Sequence, residues 1–241
     1  MKREYHRWHS PSLGRDMEML VFGHSGARAL IFPTSKGRYY EWQDRQMFRW
    51  DVLGEQIEHG RLQVFCVDSV DAESWYARDK WPGDRAWRQT QYDNYLRYEV
   101  VPFSQSINAN PFFITVGASF GAYHAMNFGL RHPGLTGRIL GLSGIYSIDI
   151  WTDGHIDDNV HKNNPLAFIS TEHDHHRLEA MRQTDIIIAT GQADPLHYSS
   201  QDMSRVLWEK GIGNALRGWD GWAHDWPYWE QMVKLYIGGH D

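Results

Sequence analysis

The sequence predicts an α/β fold: a mostly parallel central sheet with antiparallel N-terminal strands and helices on both faces. Three observations carry this. Short runs rich in β-branched and aromatic residues, such as 62–67 and 185–190, alternate with segments whose apolar residues recur at helical spacing. From the strand at 62–67 onward the order is strand, helix, strand, which is the signature of a parallel sheet. Before that, the apolar runs 17–22 and 27–32 are separated only by Gly23-His24-Ser25-Gly26, which implies a hairpin and an antiparallel start. A length of 241 residues suits one such domain, spanning 1–241, with enough chain to bury a sizeable core.

Taken in order, residues 3–9 alternate weakly and read as an edge strand, followed by a turn at 11–14 and the two runs above. A helix is expected over 44–59, with Met47, Phe48, Val52 and Ile57 as its stripe and Gly60 as its stop. The strand 62–67 leads into an aromatic loop, 68–83, around Ser74-Trp75-Tyr76. Residues 84–106 read as helical, with Tyr92, Tyr95, Leu96 and Val100 at helical spacing and Pro102 kinking or ending the run. An apolar strand over 111–116 runs into Gly117-Ala118-Ser119-Phe120-Gly121. A helix follows, with Ala122, Ala125, Met126 and Leu130 on one face, until Pro133-Gly134 stops it. Residues 138–142 form the next strand. The segment 149–176, rich in His, Asp and Asn, shows little periodicity and reads as a polar insertion over the strand ends at the active-site edge. Then come a short helix at 178–183, the most apolar strand at 185–190, a helix at 200–210 and a last strand at 214–219. Asp225 caps the final helix, and Pro227 sits in its first turn.

Composition narrows the function classes. A formal net charge of −6 argues against nucleic acid as a partner. The mixture of Arg78, Lys80, Arg85, Arg88 and Arg97 with Trp81, Trp87 and Tyr95 is broken by Asp79, Asp84, Asp93 and Glu99, so it does not make a basic face. A single cysteine, Cys66, excludes an intramolecular disulfide and reads as a packed thiol. No run of about 18 apolar residues is present, so no membrane span is expected. The first residues are not followed by an apolar signal core, and a cytoplasmic location is the expectation. The clusters His155, Asp157, Asp158, His161 and His173, Asp174, His175, His176 have ligand-like spacing, but segments this polar are usually solvated, so no metal and no cofactor are expected. The oligomeric state is open, a homo-oligomer included.

The chemistry starts at Gly117-x-Ser119-x-Gly121, between an apolar strand and a helix. That setting exposes a serine hydroxyl at a sharp corner, where larger side chains at the flanking glycines would collide with the turn. A serine hydroxyl needs a base, and the base needs an orienting partner. Asp194 follows the strand 185–190, and His224 follows the strand 214–219, giving the chain order serine, acid, histidine with each residue past a strand end. The competing residues fit different roles. His197 heads a helix, Asp225 caps one, and Asp220 would leave Asp194 without a role. The oxyanion of acyl transfer needs preorganised N–H donors. The backbone N–H of Phe120 supplies one, and the loop after 27–32 supplies the other, with Ser35 chosen over its neighbours Thr34 and Lys36. Twelve Trp and twelve Tyr exceed what a core of this size needs. Trp75, Tyr76 and Trp222 are expected to line the substrate pocket.

These residues resemble a known group. Gly117 to Gly121, Phe32-Pro33-Thr34-Ser35, Ser74-Trp75-Tyr76, Asn163-Asn164-Pro165, Gly191 to Pro195 and the aromatic run His224-Asp225-Trp226-Pro227-Tyr228-Trp229 are similar to the Putative esterase (esterase D-like) family. Its members include S-formylglutathione hydrolases, feruloyl and acetyl-xylan esterases, enterochelin esterases and mycolyltransferases. The resemblance covers most of the chain. It implies an α/β-hydrolase fold and a serine carboxylesterase acting on a small-molecule ester, with Ser119 as nucleophile, His224 as base and Asp194 as acid. Ala118 and Phe120 stand where formylglutathione hydrolases carry His and Met, and Pro33-Thr34 replaces the common His-Gly oxyanion loop. Two other readings remain at this level: acyl transfer to a sugar or thiol, and a binding protein that kept the fold.

Overall fold

The computed structural model describes residues 1–239. Eight strands form one sheet: β1 (Arg3–Ser10), β2 (Arg15–Phe22), β3 (Ala27–Phe32), β4 (Leu62–Val67), β5 (Phe113–Ala118), β6 (Arg138–Leu142), β7 (Asp185–Gly191) and β8 (Ala215–Trp219). Their order is β1-β2-β4-β3-β5-β6-β7-β8. Every pairing from β4 to β8 is parallel, while β1–β2 and β2–β4 are antiparallel. The helices are α1 (Glu41–Asp44), α2 (Glu55–Glu58), α3 (Pro82–Tyr95), α4 (Val101–Ile107), α5 (Phe120–Arg131), α6 (Asp158–Lys162), α7 (Pro165–Ser170), α8 (His175–Arg182), α9 (His197–Glu209) and α10 (Trp226–Tyr236).

The hairpin is not where the sequence placed it. β2 and β3 do not pair with each other; β4 lies between them. The tight hairpin is β1–β2, closed by the turn at 11–14. Gly23 and Gly26 instead carry the chain across the start of β4. Both have positive φ, and a Cβ on Gly26 would overlap the backbone of Arg61 and Leu62. Non-local pairing thus won over the short connection.

The helix expected at 44–59 is also broken. Gln46 at φ 62° ends the first turn, and a π-helical turn over Trp50–Gly54 precedes α2. The apolar stripe is nevertheless inward, with Met47, Val52, Leu53 and Ile57 buried. The helical run expected at 84–106 divides into α3, a π-helical turn over Leu96–Val100, and α4. Pro102 explains the break, because it has no N–H to give the preceding turn.

The segment 149–176 is more regular than expected. It holds a 3-10 turn (Asp149–Trp151), α6, α7 and the start of α8. Each helix is too short to show a period, and its start is set by a local device. Asp157 accepts the N–H of Val160, Asp174 accepts those of His176 and Arg177, and Pro165 opens α7. The polar residues that suggested a solvated loop are partly these caps.

The core lies on both sheet faces. Trp42, Ile57, Trp229 and Val233 pack under one face against Ile31, Val116 and Leu140. On the other, Tyr92, Tyr95, Val100 and Phe128 meet Leu30, Phe65 and Phe113, and Met203 and Leu207 meet Ile186 and Ile188. β5 is central, and α5 behind it is buried along its length from Phe120 to Leu130. No helix among the described residues is long and apolar enough to cross a membrane.

Candidate active site

Parallel strands bring their C-terminal ends to one edge, and there the loops after β3, β5, β6, β7 and β8 converge. Ser119 sits at the corner between β5 and α5 with φ 55° and ψ −119°, a backbone region that costs a non-glycine residue roughly 1–3 kcal/mol. The surroundings over-determine this corner. The Ser119 N–H donates to the Leu142 carbonyl at 2.8 Å. A Cβ on Gly117 would overlap the Gly121 carbonyl, and one on Gly121 would press on the Pro33 carbonyl. Both flanking glycines are therefore steric requirements. The second contact also shows that the loop after β3 lies against the first turn of α5.

The three residues predicted from chain order meet here. His224 Nε2 is 3.2 Å from Ser119 Oγ, and its Nδ1 is 2.8 Å from Asp194 Oδ2. The Asp194 carboxylate is fully buried, while the His224 ring is about one-fifth exposed. Asp194 Oδ1 accepts the N–H of Leu196 at 2.8 Å, so both oxygens are engaged. The two loops are stitched together: Gln192 N–H donates to the Trp219 carbonyl and Ala193 N–H to that of Gly221.

The competing residues go elsewhere. Asp225 caps α10 by accepting the Trp226 N–H. His197 opens α9 and gives its backbone N–H to the Asp194 carbonyl. Asp220 is exposed.

The loop after β3 is held by two carboxylates. Glu41 accepts the N–H and hydroxyl of Thr34, both at 2.7 Å. Asp71 accepts the Lys36 N–H at 2.8 Å. Thr34 and Lys36 have therefore spent their backbone donors. Ser35 N–H, between them, donates to no partner among the described residues, and the Phe120 N–H at the head of α5 has no intrahelical acceptor. The Ser35 hydroxyl accepts from Tyr76 at 2.8 Å. Burial pushes the Tyr76 phenol up, against the opposing pull of that hydrogen bond, so it stays a donor across the neutral range.

The aromatic residues divide. Tyr76 is half-buried beside Phe120 (5.2 Å between ring centroids), and Trp222 is exposed beside His224 (5.8 Å). Trp75 corrects the expectation that it lines a pocket. It is fully buried, with its indole N–H donating to the Tyr123 hydroxyl at 2.9 Å, and it belongs to the core beneath the site. Trp151, which the sequence did not single out, packs on Phe120 and Tyr76 at 5.0 and 5.6 Å.

Ser143 is a second missed residue. It lies at the end of β6 with φ 49°, and its hydroxyl donates to the Ala223 carbonyl and accepts from Trp229 Nε1. It thereby holds the loop that carries His224. Its one visible signal is its place directly after a strand of the parallel sheet. His155 pairs with Asp157, and no group of three or more His, Cys, Asp or Glu among the described residues is arranged to hold a metal ion.

A central parallel sheet with an antiparallel N-terminal edge, flanking helices and a strained serine after the fifth strand is the α/β-hydrolase fold. Residues 43–234 match the family described as "Putative esterase", and the chain belongs to that family; it is a carboxylic ester hydrolase. Solved structures with the same fold include a ferulic acid esterase at 17% identity, with a TM-score of 0.78 over 98% of this chain and 96% of that one. FphF, a fluorophosphonate-binding serine hydrolase of Staphylococcus aureus, aligns at 17% identity and TM-score 0.74, over 98% of this chain and 97% of that one. An S-formylglutathione hydrolase from Agrobacterium tumefaciens aligns at 14% identity and TM-score 0.75, over 98% and 93%. No curated protein matches the sequence.

Proposed function

We propose that this esterase hydrolyses a small-molecule carboxylic ester through an acyl-enzyme, with Ser119, His224 and Asp194 as a triad. The observation that carries the reading is the continuous chain of contacts from Ser119 Oγ through both nitrogens of His224 to the buried Asp194 carboxylate. Ser119 attacks the ester carbonyl as His224 Nε2 takes its proton. The same nitrogen then returns a proton to the leaving alkoxide and activates the water that frees the acid. Asp194 holds the tautomer with Nδ1–H and stabilises the imidazolium.

Phe120 and Ser35 donate their N–H groups to the oxyanion. Engagement of the Thr34 and Lys36 donors by carboxylates supports Ser35 over both. Tyr76 and Trp222 border the cleft, and the segment 149–176 backs it through the buried Trp151, which packs on Tyr76 and Phe120. The whole chain works as one domain in this reading.

Hydrolysis of p-nitrophenyl acetate and butyrate by wild type and Ser119→Ala tests it. We expect Ser119→Ala to lose about 10⁴-fold or more of kcat while keeping its fold. A variant with unchanged activity contradicts the assignment.

A further inference from the structure

A second carboxylate–imidazole pair lies behind the oxyanion loop. His124 stands on α5, about one turn beyond Phe120, and its Nε2 is 2.7 Å from Asp71 Oδ1. Both side chains are buried. Nδ1 of the same ring faces the Gln89 amide at 3.4 Å, so neither nitrogen reaches Ser119 or solvent. The rings of Phe32, Tyr92, Phe120 and Tyr123 surround it. The triad makes no use of this pair.

Its other contacts show where it acts. Asp71 Oδ2 accepts the Lys36 N–H, and Lys36 sits at φ 57°, a conformation that needs an outside anchor in a non-glycine residue. The Asp71 carbonyl accepts the Tyr76 N–H at 2.9 Å, and the Tyr76 hydroxyl donates to Ser35 Oγ. One residue thus grips the neighbour of Ser35 directly and Ser35 itself through Tyr76. His124 ties that residue to the helix whose first N–H belongs to Phe120.

We propose that Asp71 is a positioning residue for the oxyanion hole, and that His124 anchors it to α5 so that the two N–H donors keep a fixed separation. The inference rests on the reading of Ser35 and Phe120 as donors. The donors come from different segments of chain, and such groups stabilise an oxyanion only when held in place before it forms. A buried polar pair is a poor way to stabilise a fold, since desolvation offsets its attraction. Its value here is geometric.

The test replaces the pair by apolar groups of similar shape. Asp71→Leu/His124→Phe should fold and melt within about 5 °C of wild type. Its kcat on p-nitrophenyl acetate should fall about 10–100-fold, with KM changed by less than about threefold. The Ki of an aryl trifluoromethyl ketone, held as a hemiketal oxyanion, should rise by the factor lost in kcat/KM. Asp71→Ala and Asp71→Asn form a second pair that serves if the double variant does not fold. Alanine removes the acceptor and should lose rate; asparagine keeps an oxygen for Lys36 and should retain most of it.

Unchanged kcat in the folded double variant, a loss confined to KM, or equal loss in the alanine and asparagine variants overturns the proposal. Ser119→Ala is assayed alongside. Activity remaining there rejects the underlying reading, whereas an inactive Ser119→Ala beside a fully active double variant rejects the role of Asp71 alone.

Discussion

Two Asp–His pairs stand near Ser119, and their geometry is nearly the same: 2.8 Å between Asp194 and His224, 2.7 Å between Asp71 and His124. They differ in what the second ring nitrogen meets. In His224 it faces a serine hydroxyl at 3.2 Å at the open edge of the sheet. In His124 it meets a glutamine amide inside the core. A carboxylate–imidazole contact is therefore not a sign of chemistry by itself. In the proposed reading the first pair passes a proton to a reacting group, and the second holds its neighbours still.

Substitutions should separate the pairs. The largest effect in this comparison is expected at Asp194. Asp194→Asn leaves the shape intact but no longer holds Nδ1–H toward the carboxylate, and kcat should fall about 10⁴-fold. Steady-state kinetics on p-nitrophenyl acetate checks this, and a loss as small as that expected for the buried pair would erase the distinction.

The pH profile comes next. Activity should fall as the solution is acidified, because an imidazolium at His224 cannot accept the Ser119 proton. Asp71→Leu/His124→Phe should keep the midpoint of that acid limb while lowering the plateau. A shifted midpoint would mean that the two imidazoles are coupled. The smallest effect on the reaction is expected at Ser143. Ser143→Ala strands the Trp229 indole N–H and the Ala223 carbonyl, both inside the fold, and should cost about 1–3 kcal/mol of stability in denaturant unfolding. Activity should drop far less than for Asp194→Asn.

The same contrast governs what can be read from the sequence. Gly117-x-Ser119-x-Gly121 is local: its strand, corner and helix are consecutive, and the steric demand at each glycine follows from the turn. Asp194 and His224 are legible because a parallel sheet delivers successive strand ends to one edge, so chain order alone places both. Asp71 and His124 lie 53 positions apart and give no such signal. Their pairing depends on how the loop after β4 folds over α5. The position of β4 between β2 and β3 escapes for a related reason, since a short connection suggests a hairpin and only the whole sheet decides otherwise. Trp75 is misplaced because composition cannot tell an aromatic that lines a cleft from one that fills the core beneath it. In 149–176 the helices are one or two turns long, and their capping residues look like loop residues.

The most direct measurement is active-site labelling by a fluorophosphonate, with the modified residue located by peptide mass mapping. The account predicts stoichiometric label on Ser119 in wild type, at least about a thousandfold slower labelling in His224→Ala, and a smaller slowing in His124→Phe, no greater than the roughly 10–100-fold expected for loss of the buried pair. Label on another residue, or equal slowing in the two histidine variants, would contradict it.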